Sequence, residues 1–181
     1  MKIISLTGTH SVGKTTLLNS LFNCLSGTYE VKIVPEAARL LIDKGFKMNF
    51  EITEYGILNF ARYYLHQFRI QNADYLISDR SIIDLYAYIS VNKNPKVRSE
   101  IIKLIEEIVF LEKERIHYYF YMPIEFSMEN DSVRPSDNAY RMEVDLKIKE
   151  SFSIFGIRYY ELKGSLEERV TKALEILNYE N

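Results

Sequence analysis

Cysteine, tryptophan and long apolar runs are scarce or missing in this sequence of 181 residues. The one cysteine, Cys24, excludes a disulfide within the chain and gives no sign of an oxidising compartment. We expect it to be a small core residue of the first helix. No run approaches the roughly 18 apolar residues that a membrane-spanning helix needs, and the chain begins with an apolar strand pattern instead of a signal peptide. We therefore expect a cytoplasmic protein without a membrane partner.

An excess of either charge is missing too. Lys and Arg together number 23, Asp and Glu number 25, and the net charge is −2. This balance gives no reason to expect nucleic acid, which basic surfaces bind, so small molecules are the expected partners. The length fits a single domain over residues 1–181, and no internal repeat divides it.

Residues 8–15 read Gly-Thr-His-Ser-Val-Gly-Lys-Thr and fit the phosphate-binding pattern G-x-x-x-x-G-K-[ST] without a mismatch. An apolar run at 3–6 precedes this phosphate loop and a helical apolar pattern at 16–25 follows it. In such a loop, backbone N–H groups and the positive end of the helix face the phosphates. The expected nucleotide contacts are Gly8, Thr9, His10, Ser11, Val12, Gly13, Lys14, Thr15 and Thr16.

Three side chains are expected to act on a nucleoside triphosphate with its Mg²⁺. Lys14 would reach the β and γ phosphates, and the hydroxyl of Thr15 would ligate the metal. Asp79 follows the short apolar strand 75–77, where a second carboxylate that holds Mg²⁺ belongs. The plainer alternatives are a chance Gly-Lys-Thr turn and an Asp that caps the next helix.

Short apolar runs alternate with longer helical patterns along the whole chain. Five runs predict strands, at 3–6, 29–34, 75–77, 116–122 and 157–162. The helical patterns predict helices over 16–25, 36–45, 52–71 and 99–114, and three further helices that contain Asp84, Arg141 and Leu174. This alternation predicts an α/β three-layer sandwich, a P-loop NTPase fold with a largely parallel five-stranded sheet.

The helix predicted over 99–114 carries an apolar stripe at helical spacing. Its members are Ile101, Leu104, Ile105, Ile108 and Leu111. Such a stripe is most simply core, although it fits a homodimer surface as well. The sequence leaves the oligomeric state open.

A phosphate loop identifies a nucleotide site but not a reaction. A guanine-specific switch is disfavoured, because the nearest match to Asn-Lys-x-Asp is Asn-Lys-Asn-Pro at 92–95, between two helices. The middle glycine of the dinucleotide fingerprint G-x-G-x-x-G is missing in every register. The chain also lacks the Ser-Gly-Gly signature of transporter ATPases. A small-molecule kinase remains as the leading hypothesis.

Three patches resemble the nucleoside and nucleotide kinase group of P-loop proteins, and the resemblance covers nearly the whole chain. The patches are Asp79-Arg80-Ser81 at the end of a strand, Glu36 after the second strand, and the stretch Asp-Ser-Val-Arg at 131–134 with Arg141 downstream. Together with Pro-Glu-Ala-Ala-Arg at 35–39, they are most similar to the AAA-like ATPase/kinase family related to nicotinamide riboside kinases. The resemblance implies ATP and Mg²⁺ as cofactors and leaves the acceptor open.

The resemblance also suggests roles for the acceptor side. Glu36 would orient a nucleoside hydroxyl or take its proton, whereas Arg39 or Arg80 would clamp the phosphate of a monophosphate acceptor. Related kinases build this pocket from the helix that corresponds to 52–71. Its Tyr and Phe rings stack on a base, and Arg62 or Gln67 would read the base edge. Most of these rings are nevertheless expected in the core.

Residues 125–141 would then form a lid, with Arg134 and Arg141 as arginine fingers in cis that touch the transferring oxygens. Solvated arginines paired with neighbouring carboxylates are the simpler alternative. A second class of function also stays open. In that class the protein is an ATP-binding or ATP-hydrolysing switch that acts through a protein partner.

Overall fold

The computed structural model describes residues 1–48, 51–92, 94, 97–125 and 138–179. In these residues a five-stranded sheet forms the centre, and every pair of neighbouring strands is parallel. The strands are β1 (Lys2–Thr7), β2 (Val31–Val34), β3 (Tyr75–Asp79), β4 (Tyr118–Tyr121) and β5 (Tyr160–Glu161). Their order across the sheet is β2-β3-β1-β4-β5, so the strand that leads into the phosphate loop is central.

Helices cover both faces of the sheet. They are α1 (Lys14–Leu25), α2 (Ala37–Asp43), α3 (Glu54–Ile70), α4 (Ile82–Val91), α5 (Ser99–Glu112), α6 (Asn138–Phe155) and α7 (Leu166–Tyr179). Buried residues of α1 and α7 form one core with one face of the sheet, and those of α2 to α6 form a second core with the other face. The predicted fold class, a three-layer P-loop NTPase sandwich, is confirmed.

Alternation along the central strands explains why one sheet serves two cores. In β1, Ile3 joins the core beneath α2 to α6, whereas Ile4 and Leu6 join the core beneath α1 and α7. Because successive side chains of a strand point to opposite faces, a continuous apolar run fills both layers. The polar side chains then concentrate where the strands end, at the carboxyl edge of the sheet.

Two expectations about burial are wrong in detail. Cys24 is exposed, because the buried face of α1 is centred on Leu17, Leu21 and Leu25 and the cysteine lies at its margin. In α5, Ile101, Ile105 and Val109 are buried, but Leu104 is 40% and Leu111 is 76% exposed. Only the narrow side of α5 that faces α4 packs into the core, so the predicted stripe is wider than the buried one.

Across the residues that the structure describes, no helix combines the length and apolar character needed to cross a membrane.

Candidate functional site

The phosphate loop joins the carboxyl end of β1 to the N-terminus of α1. Gly8 and Gly13 have φ values of +153° and +88°, in the region that favours glycine. A Cβ on Gly8 would also lie 2.6 Å from the carbonyl oxygen of Met122 at the end of β4, so the loop can approach that strand only with glycine there. The first turn of α1 presents Thr15 and Thr16 as exposed residues beside the loop.

Five consecutive carbonyl oxygens of the loop accept hydrogen bonds from cationic side chains. The donors are Arg80 to Gly8 (3.2 Å), Lys14 to Thr9 (2.6 Å), Arg141 to His10 (3.2 Å) and Ser11 (3.0 Å), and Arg169 to Val12 (2.8 Å). These bonds fix the peptide planes of the loop and gather four positive charges around it. Such a loop is suited to a polyanion such as a polyphosphate.

Lys14 is buried, and its pKa is shifted strongly from the usual value for lysine. Burial and the nearby positive charge of Arg80 together lower the pKa of its ammonium to about 7, against the opposing effect of Asp79. A phosphate group beside Nζ would favour the charged form. Lys14 is therefore placed to gain a proton when an anion enters the loop.

Thr15 and Asp79 meet at the mouth of the loop. The hydroxyl of Thr15 donates to Oδ2 of Asp79 at 2.6 Å. Oδ1 of Asp79 is buried and accepts no hydrogen bond from any described residue. A buried carboxylate oxygen without a donor is costly unless a ligand satisfies it. An Mg²⁺ ion fits these two oxygen ligands, which match its preference for carboxylate and hydroxyl oxygen.

No three His, Cys, Asp or Glu side chains in the described ranges cluster in a way that could hold a metal ion. A magnesium ion at Thr15 and Asp79 would therefore need other oxygen ligands. Magnesium sites commonly use one or two protein carboxylates and take the remaining ligands from substrate phosphates and water. The two protein oxygens at this position match that arrangement.

Glu36 and Arg80 form a buried ion pair at the carboxyl ends of β2 and β3. Nε of Arg80 donates to Oε1 of Glu36 at 2.7 Å, and both side chains are less than a tenth exposed. The other oxygen of Glu36 accepts from Nε of the half-exposed Arg39 at 3.1 Å. Glu36 thus lies between a buried and a solvent-facing guanidinium, and these two contacts orient its carboxylate.

Arg80 owes its orientation to an unusual backbone and to Asp84. Its φ is +86°, a left-handed conformation that costs energy in a residue other than glycine. Its Nη1 lies 3.6 Å from Oδ1 of Asp84, which also accepts from the backbone N–H of Gly8 at 3.1 Å. The other oxygen of Asp84 completes a capping box with Ser81 at the start of α4. Asp84 therefore ties the phosphate loop to the Arg80 turn.

An apolar cavity opens beside this ion pair. The space that it encloses together with the open solvent at its mouth is about 660 Å³. Glu36, Arg39 and Arg80 line its polar end. The remaining wall residues are His10, Ala38, Ile42, Met48, Ile52, Phe60, Asp84, Leu85, Tyr88, Asn92 and Tyr140. The cavity and the phosphate loop share His10, so the two form adjoining halves of one site.

Tyr88 connects the two halves. Its hydroxyl accepts a hydrogen bond from the backbone N–H of His10 at 3.0 Å and lies 3.2 Å from Nδ1 of the same residue. The guanidinium of Arg80 lies over its ring, 5.0 Å from the centroid. A ligand that touches Tyr88 in the cavity is thereby one side chain away from the loop.

Several predicted site residues lie elsewhere or outside the described residues. Arg62 and Gln67 do not line the cavity. Arg62 is on the exposed side of α3, and Gln67 lies two turns beyond the lining residue Phe60 and pairs with Gln71. Arg134 and residues 126–137 of the predicted lid lie outside the described part of the chain.

Arg141 lies in α6, is 1% exposed and contacts the loop carbonyls. Burial lowers the pKa of its guanidinium, against the opposing effect of Asp145. Its role as an arginine finger stays a prediction. Sequence analysis missed Arg169 in α7, which no pattern singled out, because its neighbours form an ordinary capped amphipathic helix.

Comparison with known proteins agrees with this architecture. A family model described as an AAA domain matches residues 3–169. No curated protein sequence matches the chain. Among solved structures, the NadR protein in complex with NAD and AMP-PNP superposes with a TM-score of 0.73 and 16% identity over 98% of this chain. The match covers 49% of the NadR chain, so the present chain spans about half the length of that protein.

Two kinases match over nearly their full length. Thymidylate kinase from Ehrlichia chaffeensis has a TM-score of 0.66 at 16% identity, over 97% of this chain and 98% of that one. Deoxyadenosine kinase from M. mycoides, solved with the products dCMP and a flexible dCDP, has a TM-score of 0.68 at 12% identity, over 98% and 99%. At these identities the likeness concerns the fold.

Proposed function

The chain belongs to the AAA domain family, and from this premise we propose that it is an ATP- and Mg²⁺-dependent small-molecule kinase whose acceptor is a nucleoside-like hydroxyl compound. One observation carries the proposal. A loop suited to a triphosphate and a separate apolar cavity adjoin at His10, with the Glu36 and Arg80 pair at the polar end of the cavity. Two adjoining compartments suit a reaction of two substrates better than hydrolysis of one.

The donor half of the proposed site consists of the loop with Lys14, Thr15 and Asp79. The loop N–H groups and Lys14 would hold the triphosphate, and Thr15 with Asp79 would hold Mg²⁺. The metal would spread the negative charge of the transferring group. Arg141 supports the donor half by holding the carbonyls of His10 and Ser11. Little covalent help from the protein is needed, because phosphoryl transfer depends on alignment and charge neutralisation.

Charge balance favours an uncharged acceptor over a monophosphate. The charged side chains that line the described cavity are Glu36, Arg39, Arg80 and Asp84, and their formal charges cancel. Arg80, which would clamp a phosphate, already pairs with Glu36 and approaches Asp84. A dianionic acceptor would have to displace these carboxylates and desolvate its own charge in an apolar cavity. A nucleoside hydroxyl needs only a carboxylate within hydrogen-bond reach.

Glu36 would act on that hydroxyl. In the proposed reaction the acceptor oxygen forms a bond to the γ-phosphorus while the bond to the bridging oxygen of ADP breaks. The hydroxyl proton passes to the Glu36 carboxylate. Arg80 and Arg39 would keep this carboxylate ionised and aimed until the proton arrives. Phe60 and Tyr88 offer rings against which a planar base stacks.

The described neighbours support this assignment by analogy. NadR structures hold NAD with AMP-PNP in one case and NR in another, and the deoxyadenosine kinase structure holds nucleotide products. This chain superposes on about half of the NadR chain and on nearly the whole deoxyadenosine kinase chain. The acceptors to test first are therefore nucleosides with a flat base, nicotinamide riboside among them.

A coupled ADP-release assay across nucleosides and their monophosphates tests the proposal. We expect ADP release to depend on a nucleoside, to need Mg²⁺ and to vanish in Lys14→Ala, which removes the cation that meets the β and γ phosphates. A rate of ADP release that no added acceptor changes would contradict the kinase and favour the ATP-dependent switch. Release stimulated by monophosphates alone would contradict the assignment of an uncharged acceptor.

A further inference from the structure

One loop cation, Arg169, comes from α7 and has no part in the transfer described above. It is 2% exposed, and its Nη1 donates to the carbonyl of Val12 at 2.8 Å. A Cβ placed on Gly13 would lie 3.5 Å from the same nitrogen. The guanidinium therefore packs directly beneath the two residues that precede Lys14.

The other side of the guanidinium holds the turn between β5 and α7. Nη2 pairs with Oε2 of Glu125 at 2.6 Å, and Nε donates to the carbonyl of Gly164 at 3.0 Å. The same Glu125 oxygen accepts from the N–H of Gly164 at 2.9 Å. Both backbone polar groups of Gly164 are thus held by one ion pair. Gly164 has a φ of +89°, in the left-handed region that favours glycine.

We propose that Arg169 is a positioning residue for the donor nucleotide, which acts by holding the Val12 carbonyl and so the peptide planes of the phosphate loop. Its planar fork reaches Val12, Gly164 and Glu125 at the same time, which a flexible ammonium group cannot do. Its distance in sequence from Val12 is 157 positions, so the contact joins two distant parts of the chain. The inference rests on the proposed function only in requiring that the loop binds a triphosphate.

Two other roles for Arg169 would leave different signatures. A purely structural residue would stabilise the fold equally with and without nucleotide. If Arg169 acted only through the Gly164 turn, and that turn met the base or ribose, its loss would affect ATP but not inorganic triphosphate, which lacks both groups. Action through Val12 affects both ligands, because both need the loop N–H groups. Binding of ATP and of inorganic triphosphate therefore separates these cases.

The test compares wild type with Arg169→Gln, Arg169→Lys and the matched control Arg115→Gln. Arg115 is exposed and pairs with Glu112. It precedes β4 and therefore lies at the amino ends of the strands, whereas the phosphate loop lies at their carboxyl ends. We expect Arg169→Gln to weaken ATP and triphosphate alike by roughly 10- to 100-fold, the effect of losing a charge-assisted hydrogen bond. Arg169→Lys should recover part of the loss, and Arg115→Gln should bind as wild type does.

Calorimetric titrations give the dissociation constants, and thermal unfolding with and without ATP gives the shift that the ligand causes. The proposal would be overturned if Arg169→Gln had the same dissociation constants and the same ATP-induced shift in melting temperature as wild type. A loss of affinity for ATP but not for triphosphate would overturn it too. If Arg169→Gln does not fold, Glu125→Gln decides in its place. That variant keeps an oxygen acceptor but removes the charge that holds Arg169, and unchanged triphosphate binding would overturn the proposal. Failure of wild type to bind ATP or triphosphate would instead contradict the proposed function.

Discussion

The hydroxyl of Thr15 and the carboxylate of Asp79 are joined by a 2.6 Å hydrogen bond across 64 positions of sequence. Thr15 lies in the first turn of α1, where the phosphate loop ends, and Asp79 ends the neighbouring strand β3. The register between β1 and β3 sets Leu6 opposite Asp79, so the parallel sheet itself brings the two oxygen groups together. The contact depends on strand pairing and not on any local turn.

Asp79→Asn should weaken the apparent affinity for Mg²⁺ in the ADP-release assay on the order of 10- to 100-fold. The neutral amide keeps a hydrogen-bond acceptor for Thr15 but removes the charge that holds the cation. Titration of Mg²⁺ at saturating ATP measures the change. Thr15→Ser, which retains a hydroxyl, should stay close to wild type. An unchanged Mg²⁺ dependence in Asp79→Asn would remove this residue from the metal site.

Glu36→Gln should lower the rate of transfer to a nucleoside by roughly 10²- to 10⁴-fold, the usual contribution of a general base. ATP binding should stay within about twofold, because Glu36 lines the cavity proposed for the acceptor, whereas the phosphate loop would hold ATP. Steady-state rates and ATP titrations measure the two effects separately. The control is Glu30→Gln. Glu30 is an exposed carboxylate that precedes β2, at the amino end of the strand that Glu36 follows. Normal turnover in Glu36→Gln would show that the base is assigned wrongly.

ATP affinity should fall as the pH rises above about 7. The pKa of Lys14 is lowered to about 7 by burial in the free protein, and bound phosphates raise it. Well below pH 7 the ammonium is already charged, so Lys14 adds no pH dependence to the affinity there. Above pH 7 binding must take up a proton, which costs up to about tenfold in affinity per pH unit until the pKa of the complex is reached.

Titration calorimetry in two buffers of different ionisation enthalpy measures this proton uptake directly. Lys14→Met has no titrating group at this position. Its weaker ATP binding should therefore lack the pH dependence that comes from Lys14 and should follow only the titration of ATP itself. Equal pH profiles in wild type and Lys14→Met would exclude Lys14 as the titrating group.

Tyr64→Phe should destabilise the protein by about 1–2 kcal/mol, because it leaves a buried carbonyl without its donor. Tyr64 is fully buried in α3, and its hydroxyl donates to the carbonyl of Asp79 at 2.5 Å. At this chain length the loss corresponds to a melting temperature lower by roughly 2–8 °C. Thermal unfolding measures it, with Tyr55→Phe as the control, since Tyr55 is 68% exposed. Equal melting temperatures would show that the hydrogen bond contributes nothing.

The fold was predictable because its signals are local. Each strand is a short apolar run, and each helix has an apolar stripe at helical spacing. Gly8, Gly13 and Lys14 belong to a motif whose spacing lets the loop N–H groups and the lysine face a phosphate. The carboxyl edge of a parallel sheet also collects whatever follows the strands. Glu36 and Asp79 could therefore be predicted to lie near the loop before any distance was known.

The partners of those residues were not predictable. Nothing in the sequence tells that Arg80 takes a left-handed backbone and turns onto Glu36, or that Arg169 reaches Val12 from the far end of the sheet order. Arg62 was expected to contact the edge of a base only because of its residue type and its place in the helix. The rotation of α3 decides that it is exposed, and rotation depends on packing across the whole face of the helix.

The bond between Arg169 and the Val12 carbonyl has a consequence for biosynthesis. During translation the phosphate loop emerges 157 residues before the side chain that completes its support. At about 5–20 residues per second, this gap lasts roughly 8–30 s. A nascent chain therefore carries the motif long before the loop gains its last anchor, and we expect full nucleotide affinity only after α7 has been made and has packed against the loop.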